Sequence, residues 1–180
     1  MKTWKKWTYG WGNFANTVAQ QVFNNRIQFY YIDVLGLNAA LAGVIWFFFG
    51  LWNAVNDPLM GNLSDRTRTR MGRRVPYILF GAIPLGLLFF LLWTPPKDPL
   101  WLTAIYFAVL LFIFDTLYTV VIMAYNALFT ELASGLKDRS SLAAVREGLA
   151  VIALLLAFIL APILSEELGF VPMGIVIGAF

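Results

Sequence analysis

Residues Asn53 to Tyr77 read NAVNDPLMGNLSDRTRTRMGRRVPY. The carboxylate of Asp57 closes one apolar run, Pro58 and Gly61 follow it, and five arginines (Arg66, Arg68, Arg70, Arg73 and Arg74) crowd the residues before Val75 opens a second apolar run. Basic residues between two apolar runs mark a short cytoplasmic connection between membrane helices, because Lys and Arg stay on that side of the bilayer. The stretch therefore predicts two transmembrane helices, the first holding an ionisable group at membrane depth.

Working outward, the rest of the chain fits the same class. Of its 180 residues 60% are hydrophobic, 17% aromatic and only 13% charged, which lies outside the range of soluble domains. A soluble fold of this size cannot hide so much apolar surface. Val34 to Asn56, Val75 to Pro96 and Gly148 to Ser165 carry no charge, and each approaches the ~20 residues that cross a bilayer. A transmembrane barrel would alternate apolar and polar residues over ~10-residue segments, a pattern this sequence lacks. The expected fold is an all-α polytopic membrane bundle of about six helices, with residues 1–180 as one unit and cytoplasmic loops near 61–74 and 131–141.

The formal charge of +3 does not imply nucleic acid, since the cations are confined to particular loops. Neither Cys nor His is present, so disulfides, thiolate metal sites and imidazole chemistry are excluded, and cation or proton chemistry falls to Asp, Glu and neutral oxygens. The start, MKTWKKWTYGWGN, lacks a short apolar core with a small-residue cleavage site, and its Trp and Lys residues suit a membrane interface.

The first helix is expected from about Trp11 to Asp33 and is polar for a span. Asn13, Thr17, Gln20, Asn24 and Gln28 recur at three- and four-residue spacing and form one stripe. Such a stripe faces either a solute cavity or a partner helix, because polar groups in lipid cost free energy. Arg26 lies nearly opposite it, to meet an acid on another helix or to snorkel outward. The second helix is expected over Ala39 to Met60, the third from Val75 to Thr94, the fourth from Trp101 towards Asn126 and the fifth from Leu142 to Leu164, with Ser165-Glu166-Glu167 turning the chain. Leu168 to Phe180 makes a short sixth span. Lys2, Lys5 and Lys6, the five loop arginines, and Lys137, Arg139 and Arg146 fall on one side, against Lys97 alone on the other. That bias places the N-terminus in the cytoplasm.

Gly61-Asn62-Leu63-Ser64-Asp65-Arg66 through Gly72-Arg73-Arg74 resembles the signature loop between the second and third helices of the major facilitator superfamily. With Asn56-Asp57-Pro58 before it and Val75-Pro76-Tyr77 after it, the sequence resembles the glycoside-pentoside-hexuronide:cation symporter family, which includes melibiose permease-like and lysophospholipid symporters. Tyr9-Gly10-Trp11-Gly12, Tyr31 to Leu37, and Glu131 to Arg146 extend the similarity over nearly the whole chain. The resemblance implies a twelve-helix protein of two six-helix halves, of which this chain is the N-terminal half, rocking around a central cavity. It also implies a transporter in the plasma or inner membrane that moves a small polar or amphiphilic solute, such as a sugar derivative or lysolipid, by symport with a cation or proton. Asn53 to Tyr77 then reads as coupling region and gate.

In the family's sugar members two carboxylates one turn apart on the second helix and a threonine on the fourth handle the ion. The matching positions are Asn53, Asp57 and Thr119, with Asn56 between, so the first carboxylate is replaced by an amide. One carboxylate with amide and hydroxyl oxygens holds Na⁺ less firmly than two, or favours a proton. Counted from Ala39 and Trp101, Asn53 and Asp115 each lie 14 residues in (53 − 39, 115 − 101), and Asp57 and Thr119 each lie 18 in (57 − 39, 119 − 101). Asp115 is thus the expected replacement for the carboxylate missing at Asn53; the alternative is that Asp57 bonds near its helix end while Asp115 pairs with Arg26. The family's sugar-gripping acids match Thr17 and Ile122, which disfavours a galactoside. Thr17, Gln20, Gln21, Asn24 and Tyr118 are the candidate cavity residues, and Ile45-Trp46-Phe47-Phe48-Phe49 reads as packing or lipid-facing surface.

The candidate cytoplasmic gate comprises Gly61, Asp65, Arg66, Gly72, Arg73, Arg74, Glu131, Arg139 and Arg146. Asp65 and the arginines are expected to latch one conformation by pairing among themselves or with Glu131 or Asp138; topology alone also accounts for the arginines. There is no catalytic constellation and no cofactor beyond Na⁺ or H⁺ as coupling ion, with Asp57 the metal position for Na⁺. The partners expected are the lipid bilayer, the solute, and either a C-terminal six-helix half or a second copy of the chain. A half-size homodimeric transporter and a non-transporting scaffold subunit are the rival readings.

Overall fold

The computed structural model describes residues 2–133 and 135–179, and of Asp65 the backbone alone. Its helices are α1 (Thr3–Phe29), α2 (Ala39–Arg66), α3 (Val75–Leu91), α4 (Leu100–Leu132), α5 (Leu136–Ile163) and α6 (Phe170–Gly178). Widened turns over Tyr30–Val34 and Leu164–Leu168 extend α1 and α5. The described residues contain no strand. By length and apolar composition Ala39–Ser64, Leu100–Leu132 and Leu136–Leu168 are each able to cross a membrane, and Val75–Leu91 is a shorter apolar helix. The chain is an all-α, multi-pass membrane protein.

Several boundaries differ from expectation. α1 begins at Thr3 rather than Trp11, and the glycine at position 10 is tolerated because a side chain there has no room: a Cβ would lie 2.8 Å from Leu149 Cδ1. α2 runs past Met60 to Arg66 with Pro58 inside it, since proline removes one N–H while the surrounding turns keep theirs. α4 reaches Leu132 and α5 starts at Leu136, so the connections at 67–74 and 133–135 are shorter than expected. Ser165-Glu166-Glu167 does not reverse the chain; the helix widens through Leu168 and turns at Gly169, whose φ of 92° is open to glycine and strained for other residues.

The chain divides into two compact units, residues 1–27 with 127–180, and residues 28–126. In the first, α1 packs along α5: Asn13 Nδ2 donates to the Arg146 carbonyl at 3.4 Å, and Lys6 Nζ donates to Ser141 Oγ at 2.9 Å and lies 3.4 Å from Asp138 Oδ1.

In the second unit three tyrosines close the end of α3. The last carbonyls of a helix have no partner within it, and here Tyr106, Tyr31 and Tyr30 hydroxyls donate to the carbonyls of Leu91, Leu92 and Trp93 at 2.9, 2.9 and 3.0 Å. Tyr31 is fully buried and stacks on Phe107 at 4.0 Å between ring centroids. α3 approaches α4 closely at Gly81, where a Cβ would run into Val121 Cγ2. Phe47, Phe80, Ile83 and Trp101 are exposed, as side chains that face lipid or a neighbouring helix must be.

Candidate functional site: a polar layer between two parallel helices

Asn38 starts α2 by accepting hydrogen bonds from the backbone N–H groups of Ala40 and Leu41. From that start, Asn53, Asn56 and Asp57 fall within adjacent turns of one face, because residues three and four apart are neighbours on a helix. Asp115 and Thr119 hold the same spacing on α4. Hydrogen bonds join Asn53 to Asp115 and Asp57 to Thr119, both pairs 62 positions apart in sequence, so the two helices run in parallel and in register.

At the first level, Asn53 Nδ2 donates to Asp115 Oδ1 at 3.3 Å and Asn56 Nδ2 donates to Asp115 Oδ2 at 3.1 Å. At the next, the same Asn56 amide donates to Thr119 Oγ1 at 3.2 Å, and that hydroxyl donates to Asp57 Oδ1 at 3.3 Å. Asn56, Asp115 and Thr119 are buried, while Asn53 and Asp57 are half-buried. Asp115 Oδ2 accepts from Asn56, so the Asn56 carboxamide stands with its nitrogen towards the carboxyl group. Asn56 Oδ1 is thereby left buried with no hydrogen-bond partner, a state that costs free energy until a donor or cation meets it.

The layer thus combines two carboxylates, two amides and a hydroxyl, all oxygen or amide chemistry. Neutral amides satisfy hydrogen-bond valence around Asp115 without bringing a positive charge to it. Both carboxylates take their hydrogen bonds from neutral side chains. No group of three or more His, Cys, Asp or Glu side chains placed to hold a metal ion occurs among the described residues. The donor set suits a hard monovalent cation or a proton and lacks the softer ligands of transition metals.

Trp52 was not singled out in the sequence. Its Nε1 donates to Thr116 Oγ1 at 3.2 Å, and its ring packs on Phe112 at 5.9 Å. The pair sits one residue from Asn53 and Asp115, and the parallel register was the signal that could have found it. Lys6 was likewise read for topology alone, yet it bonds Asp138, which the sequence had offered to the arginine loop.

The remaining candidates are placed as follows. Thr17 donates to the Asn13 carbonyl at 2.8 Å, Gln21 is half-buried, and Gln20 and Asn24 are exposed, all on α1 in the first unit. Tyr118, in the second unit, stacks on Phe114 at 5.8 Å. Of the gate residues, Gly61 faces Met123 across a gap that would leave an added Cβ 3.6 Å from Sδ. Gly72 turns the loop with φ 94° while Thr69 Oγ1 donates to its carbonyl at 2.6 Å. Arg66 and Arg73 are exposed and Arg74 is half-buried. Arg139 Nε donates to the Ala133 carbonyl at 3.0 Å. Arg146 lies 3.3 Å from Glu147 and over the Phe129 ring at 5.9 Å. Glu131 is exposed near the end of α4. The expected latch through the Asp65 carboxylate lies outside the described residues.

Known proteins resemble this chain over most of its length. A family profile described as MFS/sugar transport protein matches residues 8–177. The chain is 35% identical over 161 residues to an uncharacterized symporter of Synechocystis sp., covering 86% of this chain and 30% of that protein. It is 35% identical over 134 residues to the putative glycoside/cation symporter YagG of Escherichia coli, covering 74% and 29% respectively. It is 32% identical over 151 residues to the sodium-dependent lysophosphatidylcholine symporter 1-A of Danio rerio, covering 81% and 27%. The chain spans 27–30% of the length of these relatives.

Proposed function

The chain belongs to the glycoside-pentoside-hexuronide:cation symporter family of the major facilitator superfamily, a family of transporters rather than enzymes, and on that premise we propose that it forms part of a secondary symporter coupled to a cation at the α2–α4 layer. The observation that carries this reading is the linked pair Asp115 and Asp57, bridged through Asn56 and Thr119 at membrane depth. A carboxylate kept in a span without a basic partner is costly and therefore functional by default. A Na⁺ or H⁺ entering the layer as co-substrate offsets one carboxylate charge and meets the orphaned Asn56 oxygen.

Asp115 takes the place of the carboxylate that Asn53 lacks, so the ion is shared between two helices rather than held by one. Alternating access follows if offsetting a carboxylate charge changes how readily the helices move. The solute is a small polar or amphiphilic molecule, a sugar derivative or lysolipid, in keeping with the names of the relatives. The arginines after α2 support a cytoplasmic N-terminus in a plasma or inner membrane.

Ion-driven uptake by the protein as its own cell makes it, measured with Na⁺ or pH gradients in Asp57→Asn and Asp115→Asn variants, tests the reading. Both variants are expected to lose ion dependence while solute exchange without a gradient persists. Wild-type ion dependence in both would overturn it.

A further inference from the structure

We propose that the first three turns of α1 are an anchoring surface for anionic phospholipid headgroups. Trp4, Trp7 and Trp11 are 62%, 48% and 55% exposed, and their three- and four-residue spacing places them within one arc of ~60° on the helix. The opposite side is occupied: Tyr9 and Asn13 are buried, and Lys6 bonds Ser141 and Asp138 on α5. α1 therefore docks in its own unit by one face and presents a row of indoles on the other.

Each indole offers an apolar body and an N–H donor, the combination that favours the headgroup layer over both water and hydrocarbon. The charge beside it is of one sign. Lys2 and Lys5 are exposed, Lys5 Nζ lies 5.8 Å over the Trp4 ring, and the chain has no acidic residue before Asp33. Lys6 differs, being turned inward onto α5.

Length sets the depth. α1 has 27 residues, hence ~40 Å of helix against a ~30 Å hydrocarbon core. About two turns must stand at headgroup level or the helix must tilt. An acidic peptide would answer the lysines but offer no apolar layer to three indoles; an anionic leaflet offers both.

The protein is reconstituted into phosphatidylcholine vesicles containing phosphatidylglycerol, with bromine near the glycerol end of the acyl chains of one lipid or the other at equal mole fraction. Tryptophan quenching is then compared for the wild type, the triple variant Trp4→Phe/Trp7→Phe/Trp11→Phe and the double variant Lys2→Gln/Lys5→Gln. Brominated phosphatidylglycerol is expected to quench the component lost in the triple variant more strongly, reflecting about fivefold enrichment per lysine. The double variant keeps the quenched component but loses the preference for phosphatidylglycerol, and salt weakens it in the wild type. Equal quenching by both lipids would overturn the proposal by showing an interfacial belt indifferent to charge. So would absence of quenching at these tryptophans, which would show the face covered by protein.

Discussion

Asn56 donates its side-chain amide to Asp115 across 3.1 Å, and both side chains are buried, Asn56 completely. One neutral residue on α2 therefore holds the carboxylate of α4 and, through the same nitrogen, the hydroxyl of Thr119. Asn56→Ala leaves a buried carboxylate and a hydroxyl each short of a donor. A loss of about 1–3 kcal/mol is expected, read as a lower midpoint in thermal unfolding followed by intrinsic fluorescence. Asn53→Ala should cost less, because Asn53 is only half-buried. Equal effects would show that the layer does not depend on Asn56.

Exchanging the residues at the first level separates charge from position. Asp115→Asn alone is expected to abolish ion-dependent uptake, since charge count sets affinity for hard cations. In Asn53→Asp/Asp115→Asn the carboxylate returns to α2, one turn from Asp57, and ion-dependent uptake is expected to recover in part. A double variant as inactive as Asp115→Asn would show that the carboxylate must stand on α4.

Gly81 sets the separation of α3 and α4. A Cβ there would overlap Val121 Cγ2, so Gly81→Ala is expected to cost about 1–3 kcal/mol through overpacking. Val121→Ala in the same chain removes the clashing methyl and should return most of that loss. No recovery in the double variant would place the cause elsewhere.

The tyrosines at the end of α3 differ in burial and should differ in effect. Tyr31 is 0% exposed and bonds the Leu92 carbonyl, so Tyr31→Phe orphans a buried acceptor at a cost of about 1–3 kcal/mol. Tyr106→Phe, whose bond to Leu91 is exposed to solvent, should change the unfolding midpoint little. Reversal of that order would mean that the carbonyls are not what the hydroxyls stabilise.

Much of the site was legible because helical geometry is regular. Equal depth of Asn53 with Asp115 and of Asp57 with Thr119 followed from counting along two helices that enter from the same side, and the hydrogen bonds fall on those pairs. The central position of Asn56 was not legible beyond its place in the motif, because residue spacing does not say which amide is turned fully inward. Helix ends were misjudged where an apparent breaker was harmless: Pro58 lies inside α2, and Gly10 lies inside α1 where Leu149 fills the space beside it.

By itself the sequence determined that this chain is a bundle of membrane helices of a particular transporter family, because apolar run length, basic loops and local motifs are properties of consecutive residues. Only the tertiary structure decided that Asn56 joins Asp115 to Thr119, that Trp52 meets Thr116, and that Lys6 pairs with Asp138. Those pairings join residues 59 (115 − 56) to 132 (138 − 6) positions apart. Which of several equally spaced polar groups turns towards its neighbour depends on the rotation and approach of packed helices, and no local pattern encodes that.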